Sequence, residues 1–345
     1  MTRLTRRNFL KGTGMAALAL GTGAILDAVL SGCATSRPNE RPSPSKTQPE
    51  TSAYPPLAGK KIQPPENGCL VGLHRYNYSH DTGQIIDSYQ KELDNKPAFF
   101  TLAMVDFSYF PQYEMAGIAT KGVIPNVLHD YSASLQDIAK GSHDVTLTTL
   151  AKEAKKYGEQ HGGFFYTPMP ELNGNWRPWA RQPNAAKGAC QHAWQIFEDN
   201  GANQYATWVW EVYCPEGAKG GAEDPQNYYP GDKYVDWIGL SAYSRTQFYN
   251  GNMSYNELTR RTYIEMHNNH LNKPIMQAEF GKTQGSDQPY WLKNAYKTIK
   301  SRPGMKAALY WDQHDRELND NLYLSKESFE VIKEIFKDPY FIGAK

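Results

Sequence analysis

Cysteine is scarce in this sequence, whose 345 residues include only four. None of the four belongs to a C-x-x-C pair, and no group of Cys and His residues has the spacing of a zinc site. The sequence therefore predicts neither a disulfide framework nor a bound metal ion. Beyond Cys33, we expect Cys69, Cys190 and Cys214 to be isolated, partly buried thiols.

An excess of charge of either sign is also missing. The 37 Lys and Arg residues are balanced by 36 Asp and Glu residues, so the formal net charge is +1. Because binding to a polyanion requires a strongly basic surface, nucleic acid is not expected as a partner. No G-x-G-x-x-G segment follows an apolar run and no glycine-rich phosphate loop is present, so no cofactor is predicted.

Aromatic side chains, by contrast, are abundant. They make up 13% of the chain and include 23 Tyr and 8 Trp. Flat amphipathic rings pack against the apolar faces of sugars, but they also fill ordinary protein cores. The composition therefore favours a carbohydrate ligand only weakly.

The N-terminal segment has the features of an export signal. Arg6 and Arg7 precede an apolar stretch over 15–30, which runs into Leu30-Ser31-Gly32-Cys33. The paired arginines resemble a Tat signal, and the last four residues resemble a lipobox, whose cysteine becomes the lipidated first residue of the mature protein. We expect residues 1–32 to be the signal peptide. Lipid on Cys33 would then anchor the exported protein to the cell envelope, on its periplasmic or cell-surface face.

The segment after the signal differs in composition from the rest of the chain. Residues 33–65 are rich in Ser, Thr, Pro, Glu and Lys and show no apolar periodicity, which predicts a flexible linker. Residues 66–345 remain for a single domain, which we expect to be monomeric.

In that domain, short apolar runs alternate with helix-length segments. Amphipathic stretches such as 145–161, 252–271 and 325–336 separate or follow the runs. This alternation is typical of βαβ units with a parallel sheet, and the number of units favours a single (β/α)₈ TIM barrel over an open sheet. The runs are 69–73, 98–105, 123–128, 163–168, 206–212, 235–242, 274–278 and 307–311.

Each run ends in a polar or aromatic side chain. In a (β/α)₈ barrel the carboxyl ends of the strands meet at one mouth, where active sites of this fold lie. We therefore expect one pocket with several carboxylates, histidines and aromatic rings. The residues at the run ends are His74, Asp106, His129, Glu171, Glu211, Tyr243, Glu279 and Trp311.

Two of these carboxylates, Glu171 and Glu279, fall at the ends of the fourth and seventh runs. Opposed carboxyl groups are the minimum needed for glycoside hydrolysis, because one protonates the departing oxygen while the other attacks carbon or activates water. Their mutual repulsion separates their pKa values, so that one can keep a proton while the other stays ionised.

Residues 68–335 resemble glycoside hydrolase family 26, a branch of the retaining glycosidases with a (β/α)₈ barrel. The resemblance implies that Glu171 is the general acid/base and Glu279 the nucleophile of a double displacement. Family members cut β-1,4-mannans, and β-1,3-1,4-glucan and β-1,3-xylan activities also occur. The matching segments, in order, are Leu135-Gln136-Asp137-Ile138-Ala139-Lys140-Gly141, Glu171-Leu172-Asn173-Gly174-Asn175-Trp176, Tyr228-Tyr229-Pro230-Gly231-Asp232 with Val235-Asp236-Trp237-Ile238-Gly239, and Glu279-Phe280-Gly281.

The resemblance also implies roles in substrate binding for four further residues. Tyr243 matches a tyrosine that hydrogen-bonds the nucleophile. Trp176 and Trp311 match aromatic walls of the sugar site, and His129 matches a histidine near the cleaved sugar. The chain departs from the family pattern at Pro170, where a histidine normally precedes the acid/base. Since proline has no side-chain donor, specificity for mannan does not follow from the resemblance alone.

Three functions remain open at this point. The first is a retaining endo-β-glycanase, with mannan as the first substrate and a mixed-linkage glucan or an exopolysaccharide as the next. The second is a lipoprotein that binds carbohydrate without cleaving it, although such a protein would be expected to lose a carboxylate first. The third, a metal-dependent hydrolase, is disfavoured because the sequence has no H-x-H after the first run.

Overall fold

The computed structural model describes residues 61–75, 82–315 and 318–344. The predicted signal peptide, the lipidation site at Cys33 and residues 33–60 of the predicted linker lie outside these ranges, as does Lys345 at the C-terminus.

Parallel strands and intervening helices form a closed barrel, which confirms the predicted (β/α)₈ fold. Each of the first seven strands pairs in parallel with the next, and the first also pairs in parallel with the eighth, so the sheet closes. The strands are β1 (Cys69–His74), β2 (Phe99–Asp106), β3 (Ile124–Asp130), β4 (Phe164–Pro168), β5 (Ala206–Tyr213), β6 (Trp237–Ser244), β7 (Ile275–Lys282) and β8 (Met305–Trp311).

The helices cover the outside of the barrel. They are α1 (Thr82–Leu93), α2 (Gln112–Ala119), α3 (Leu135–Ala139), α4 (Asp144–His161), α5 (Pro183–Asp199), α6 (Tyr255–Asn269), α7 (Gln288–Ser301) and α8 (Lys326–Lys337). Beyond β8, the short strands β9 (His314–Asp315) and β10 (Asp320–Asn321) form an antiparallel pair, and β11 (Phe341–Ile342) adds to β1.

Helix ends follow local sequence signals. Ser254 caps α6, since its hydroxyl accepts from the backbone N–H of Glu257 while the Glu257 carboxylate accepts from the backbone N–H of Ser254. Ser325 caps α8 through a single hydrogen bond, because its hydroxyl accepts from the backbone N–H of Ser328. The sequence pattern extends α6 over 252–271, and the cap explains why the helix starts later.

Alternation of side chains along the strands divides the core into two layers. On β5, Trp208 and Trp210 pack outward against the helices, whereas Val209 belongs to the small inner core with Phe165 and Trp237. Residues of odd number on β5 therefore point into the barrel, and this parity places Glu211 and Tyr213 on the inside.

Three further properties belong to the described residues. Cys69, Cys190 and Cys214 are buried free thiols. Within the described ranges, no three His, Cys, Asp or Glu side chains are grouped so as to hold a metal ion. The helices of the same ranges are too short or too polar to cross a membrane.

Candidate active site

Glu279 reaches the barrel interior because β7 contains a β-bulge. Leu240 on β6 pairs with Gln277, but the next residue, Ser241, pairs with Glu279, so Ala278 is an extra residue. A bulge of this kind shifts the alternation of the side chains that follow it. Since Ala278 already packs in the inner core, Glu279 would point toward the helices without the bulge.

Glu171 lies in the loop directly after β4, where the backbone of two non-glycine residues has positive φ. Met169 and Glu171 have φ values of 54° and 53°, in the left-handed region, on either side of Pro170. Non-glycine residues held there cost about 1–3 kcal/mol each and are often found at functional sites. Asn173 stabilises the loop, because its side-chain amide donates to the carbonyl of Tyr213 at 2.9 Å and its oxygen accepts from the Tyr213 N–H at 2.8 Å.

The Glu171 carboxylate is buried and accepts hydrogen bonds on both oxygens. Trp176 Nε1 donates to Oε2 at 2.6 Å, and the Arg177 guanidinium donates to the same oxygen, with Nη2 at 2.8 Å and Nε at 3.1 Å. Ser241 Oγ donates to Oε1 at 3.0 Å. Ser241 comes from β6 and the other two donors from the β4–α5 loop, so the orientation of this carboxylate depends on two parts of the barrel.

Glu279 is equally buried and has a different donor. The Tyr243 hydroxyl donates to Glu279 Oε2 at 2.6 Å, which is the contact implied by the resemblance. Burial, followed by the charges of Glu279 and Glu171, raises the pKa of Tyr243 well above its ordinary value, so the phenol stays a neutral donor.

Tyr243 is in turn held by a buried ion-pair network. The Arg245 guanidinium carbon lies 4.5 Å from the centre of the Tyr243 ring. Arg245 Nη1 donates to Asp320 at 2.8 Å, and Nη2 pairs with Asp315 at 3.0 Å. The β9–β10 pair thus supports the tyrosine that binds Glu279.

A third carboxyl group, Glu211, lies on the same inner face. Its side chain is 0% exposed. Burial, followed by the charges of Glu279 and Glu171, raises the pKa of Glu211 well above its ordinary value, while Arg177 opposes this shift. The charges of Glu171, Glu279 and Arg177 therefore all act on Glu211.

Aromatic rings line the space beside these carboxyl groups. Trp176 and Trp311, both partly exposed, pack in one cluster with Tyr213, Tyr243 and the aliphatic Leu322. The Trp176 ring contacts Tyr213 edge-on, with ring centres 4.8 Å apart. Exposed ring faces next to carboxylates can pack against a sugar.

His74 positions one of these rings. It stacks on Trp311 with ring centres 3.9 Å apart. One ring nitrogen bonds the carbonyl of Thr101 and the other bonds the Gln313 side chain. Burial lowers the pKa of His74 to about 4, so the ring is neutral at neutral pH.

The structure does not bring His129 together with these residues, which corrects its assignment to substrate binding. His129 Nδ1 bonds the Tyr166 hydroxyl and Nε2 bonds the carbonyl of Asp106, both at 2.8 Å. Its ring contacts Tyr131 and Phe107, which belong to the outer core between strands and helices. The alternation in β3 explains the difference, because His129 lies on the face opposite to that of the next residue, Asp130.

Asp106, another residue at a strand end, accepts hydrogen bonds from the loop that follows β2. Its carboxylate accepts from the backbone N–H of Ser108 at 2.8 Å and from the Ser108 hydroxyl. These hydrogen bonds lower its pKa.

Sequence reasoning missed Arg177, Ser241 and Arg245. A sequence signal existed for Ser241, since it precedes Tyr243 by two positions on one strand and so shares its face. Arg177 directly follows the matched segment that ends in Trp176, but nothing in a single sequence indicates which way its side chain points.

Replacing Tyr243 with Phe tests the contact to Glu279. Because hydrogen bonds to charged groups contribute about 1.5–3 kcal/mol, we expect kcat for glycoside hydrolysis to fall roughly 10- to 100-fold. Steady-state kinetics would measure this, with Tyr290→Phe, an exposed tyrosine on α7, as the control. A kcat within threefold of the wild type would show that the hydroxyl does not support catalysis.

The chain is similar to known proteins. Residues 120–343 match the family described as Glycosyl hydrolase family 26. The chain is 28% identical over 240 residues to Endoglucanase H of Acetivibrio thermocellus, an alignment that covers 66% of this chain and 26% of that protein. It is 24% identical over 208 residues to Beta-1,3-xylanase TXYA of a Vibrio species, covering 54% of this chain and 40% of the relative.

Solved structures share the fold. The catalytic domain of the GH26 Endo-beta-1,4-mannanase from Bacillus sp. JAMB-750 superposes with a TM-score of 0.64 at 15% sequence identity. The superposition covers 80% of this chain and 88% of that one.

Proposed function

Because the chain belongs to glycosyl hydrolase family 26 and is therefore a glycosidase, we propose that it is a retaining endo-β-glycanase that hydrolyses β-linked polysaccharide. The observation that carries this proposal is the buried pair Glu171 and Glu279. Trp176, Arg177 and Ser241 donate hydrogen bonds to the first carboxylate, and Tyr243 donates one to the second. Different surroundings suit one acid/base and one nucleophile.

In the first step, Glu171 gives a proton to the glycosidic oxygen while Glu279 attacks the anomeric carbon. The neutral donor Tyr243 orients the Glu279 carboxylate for attack. Because this hydrogen bond restricts rotation of the carboxylate, the entropic cost of reaching the transition state is lower. In the second step, Glu171 takes a proton from water, and the water oxygen displaces Glu279 from the sugar. Two inversions at one carbon retain its configuration.

The first candidate substrate is β-1,4-mannan. A specific observation favours a glucan as the second candidate, since the relative with 28% identity is named an endoglucanase. Mixed-linkage β-1,3-1,4-glucan is the first glucan to test. Pro170 also lacks the side-chain donor expected before the acid/base, so a hydrogen bond from that position to the sugar is absent here. An exopolysaccharide is a third candidate. A purely carbohydrate-binding role is less favoured because both carboxylates are present and buried.

The proposed location follows from the N-terminal sequence. Residues 1–32 would direct export by Tat, and Cys33 would carry the lipid that anchors the protein to the cell envelope. The linker over 33–65 would let the catalytic domain, residues 66–345, reach a polysaccharide as a monomer.

A substrate screen tests the proposed function. The domain from residue 60 onward is incubated with mannan, glucomannan, mixed-linkage glucan, xylans and a purified exopolysaccharide, and new reducing ends are measured. We expect one polymer class to be cleaved, with the β-anomer of the product appearing first in proton NMR spectra. If no polymer is cleaved but one binds saturably, the protein is a carbohydrate-binding lipoprotein, and an α-anomer would exclude the double displacement.

A further inference from the structure

Glu211 is a buried carboxyl group to which the double displacement assigns no task. Among the described residues, neither of its side-chain oxygens has a hydrogen-bond partner. On the adjacent strand, a Cβ at Gly239 would lie 3.1 Å from the Cβ of Glu211, so glycine at this position leaves room for the larger side chain. A carboxyl group without donors in such a place is far more stable with a proton than without one.

The backbone holds Glu211 next to the acid/base. The N–H of Leu172, the residue after Glu171, donates to the carbonyl of Glu211 at 3.3 Å. The two hydrogen bonds between Asn173 and Tyr213 continue the same contact two residues further along. The loop that carries Glu171 is therefore attached along β5 at Glu211.

The charged groups around Glu211 come from two sides of the barrel. The charges of Glu171 and Arg177, in the β4–α5 loop, and of Glu279, on β7, act on Glu211. Tyr213 on its own strand and Tyr243 on β6 are neutral, because burial raises the pKa of each phenol. The charge of Glu279 disappears when Glu279 becomes an ester in the glycosyl-enzyme.

Glu171, by contrast, is surrounded by donors. Its two oxygens accept hydrogen bonds from Trp176, Arg177 and Ser241. A carboxyl group in this setting is arranged as a base, although the first step of the reaction requires it to act as an acid.

We propose that Glu211 holds, in the resting enzyme, the proton that Glu171 passes to the leaving group, so that the two carboxyl groups share one proton. This inference rests on the proposed function. Glu211 is then a positioning residue that acts through Glu171.

The proton inventory balances over the cycle. The O–H bond of Glu211 breaks and one forms on Glu171, directly after a side-chain rotation or through one water molecule. Glu171 gives this proton to the glycosidic oxygen as the C–O bond breaks, and Glu279 bonds to carbon, so the first product leaves as a neutral alcohol. Water then attacks carbon and yields a proton to Glu171, Glu279 leaves as a carboxylate, and the proton returns to Glu211.

The test is the pH dependence of kcat/KM in Glu211→Gln, using the polymer that the wild type cleaves. Without the second carboxyl group, Glu171 loses its proton more easily beside Arg177, so we expect the alkaline limb to move down by about one pH unit or more. The decrease in kcat/KM caused by Glu211→Gln should be at least tenfold smaller for a 2,4-dinitrophenyl glycoside of the same sugar, because its leaving group needs no proton. Glu211→Asp should restore the limb toward the wild-type position.

The matched control is Thr167→Val, which removes another buried oxygen without a hydrogen-bond partner in the described residues and should leave the alkaline limb in place. An unchanged limb in Glu211→Gln would overturn the inference, whereas a wild type that cleaves no polymer would refute the proposed function instead.

Two measurements do not depend on activity. Folding takes up a proton at Glu211, so the stability of the wild type relative to Glu211→Gln should be greatest below about pH 4.3 and fall as the pH rises. The infrared spectrum of the wild type at neutral pH should also contain the band of a protonated carboxyl group, and its absence would overturn the inference even if the variants do not fold.

Discussion

Replacing Glu279 with Gln should lower kcat for polysaccharide hydrolysis by at least about 10⁴-fold, because an amide cannot form the glycosyl-enzyme ester. The substitution keeps the volume of the side chain and leaves an oxygen to accept from Tyr243, so the fold should persist. Removing a negative charge from the neighbourhood of Glu171 and Glu211 should leave the melting temperature equal to or above that of the wild type. Reducing-end assays and thermal unfolding would measure both effects.

Glu279→Ala gives a second test of the same role. The space left by the carboxylate admits azide, which should attack the anomeric carbon of an activated β-glycosyl fluoride or dinitrophenyl glycoside and yield the α-glycosyl azide. The control is Glu327→Gln on α8, where the carboxylate is exposed. If Glu279→Gln retained more than about a tenth of the wild-type kcat, Glu279 could not be the nucleophile.

Replacing Glu171 with Ala should lower kcat/KM for polysaccharide by about 10²- to 10⁴-fold, the usual contribution of general acid–base catalysis. The loss depends on the leaving group, because an alkoxide needs a proton and a dinitrophenolate does not. The dinitrophenyl glycoside should therefore still form the glycosyl-enzyme, which then accumulates because no base activates water. A burst of dinitrophenol followed by slow turnover would show this directly.

Azide distinguishes Glu171 from Glu279. In Glu171→Ala it should release the accumulated glycosyl-enzyme as the β-glycosyl azide, since the negative charge that repels anions is gone. The α-azide from one variant and the β-azide from the other would assign both carboxylates. Equal losses for polysaccharide and dinitrophenyl glycoside in Glu171→Ala would contradict the acid/base role.

The fold was predictable because its signal is repeated along the chain. Each apolar run from 69 to 311 coincides with a buried strand, and each of the eight barrel strands overlaps one of these runs. The helix ends predicted from the sequence were less accurate. The amphipathic stretch at 252–271 extends beyond α6 on both sides. The Ser254 cap sets the start of the helix, and a pattern of apolar residues does not include that hydrogen bond.

The proximity of the candidate residues was predictable where a chemical residue type lies at a strand end or in the loop that follows it. Glu171, Glu279, Tyr243, Trp176 and Trp311 share the mouth of the barrel in the structure. His129 has the same position relative to its strand and yet faces the helices. Strand ends are visible in sequence, but the face that a side chain takes depends on register and on bulges.

The sequence by itself determined the number of barrel strands, the helices between them and the carboxylates that lie near the ends of the fourth and seventh strands, because these depend on local composition and periodicity. The tertiary structure alone decided which side chains meet. The extra residue Ala278 turns Glu279 inward, and the left-handed backbone around Pro170 aims Glu171. The β4–α5 loop then places Arg177 on the Glu171 carboxylate, to which β6 contributes Ser241. These contacts depend on strand register, on the bulge and on the conformation of the loop, which a pattern of apolar residues does not specify.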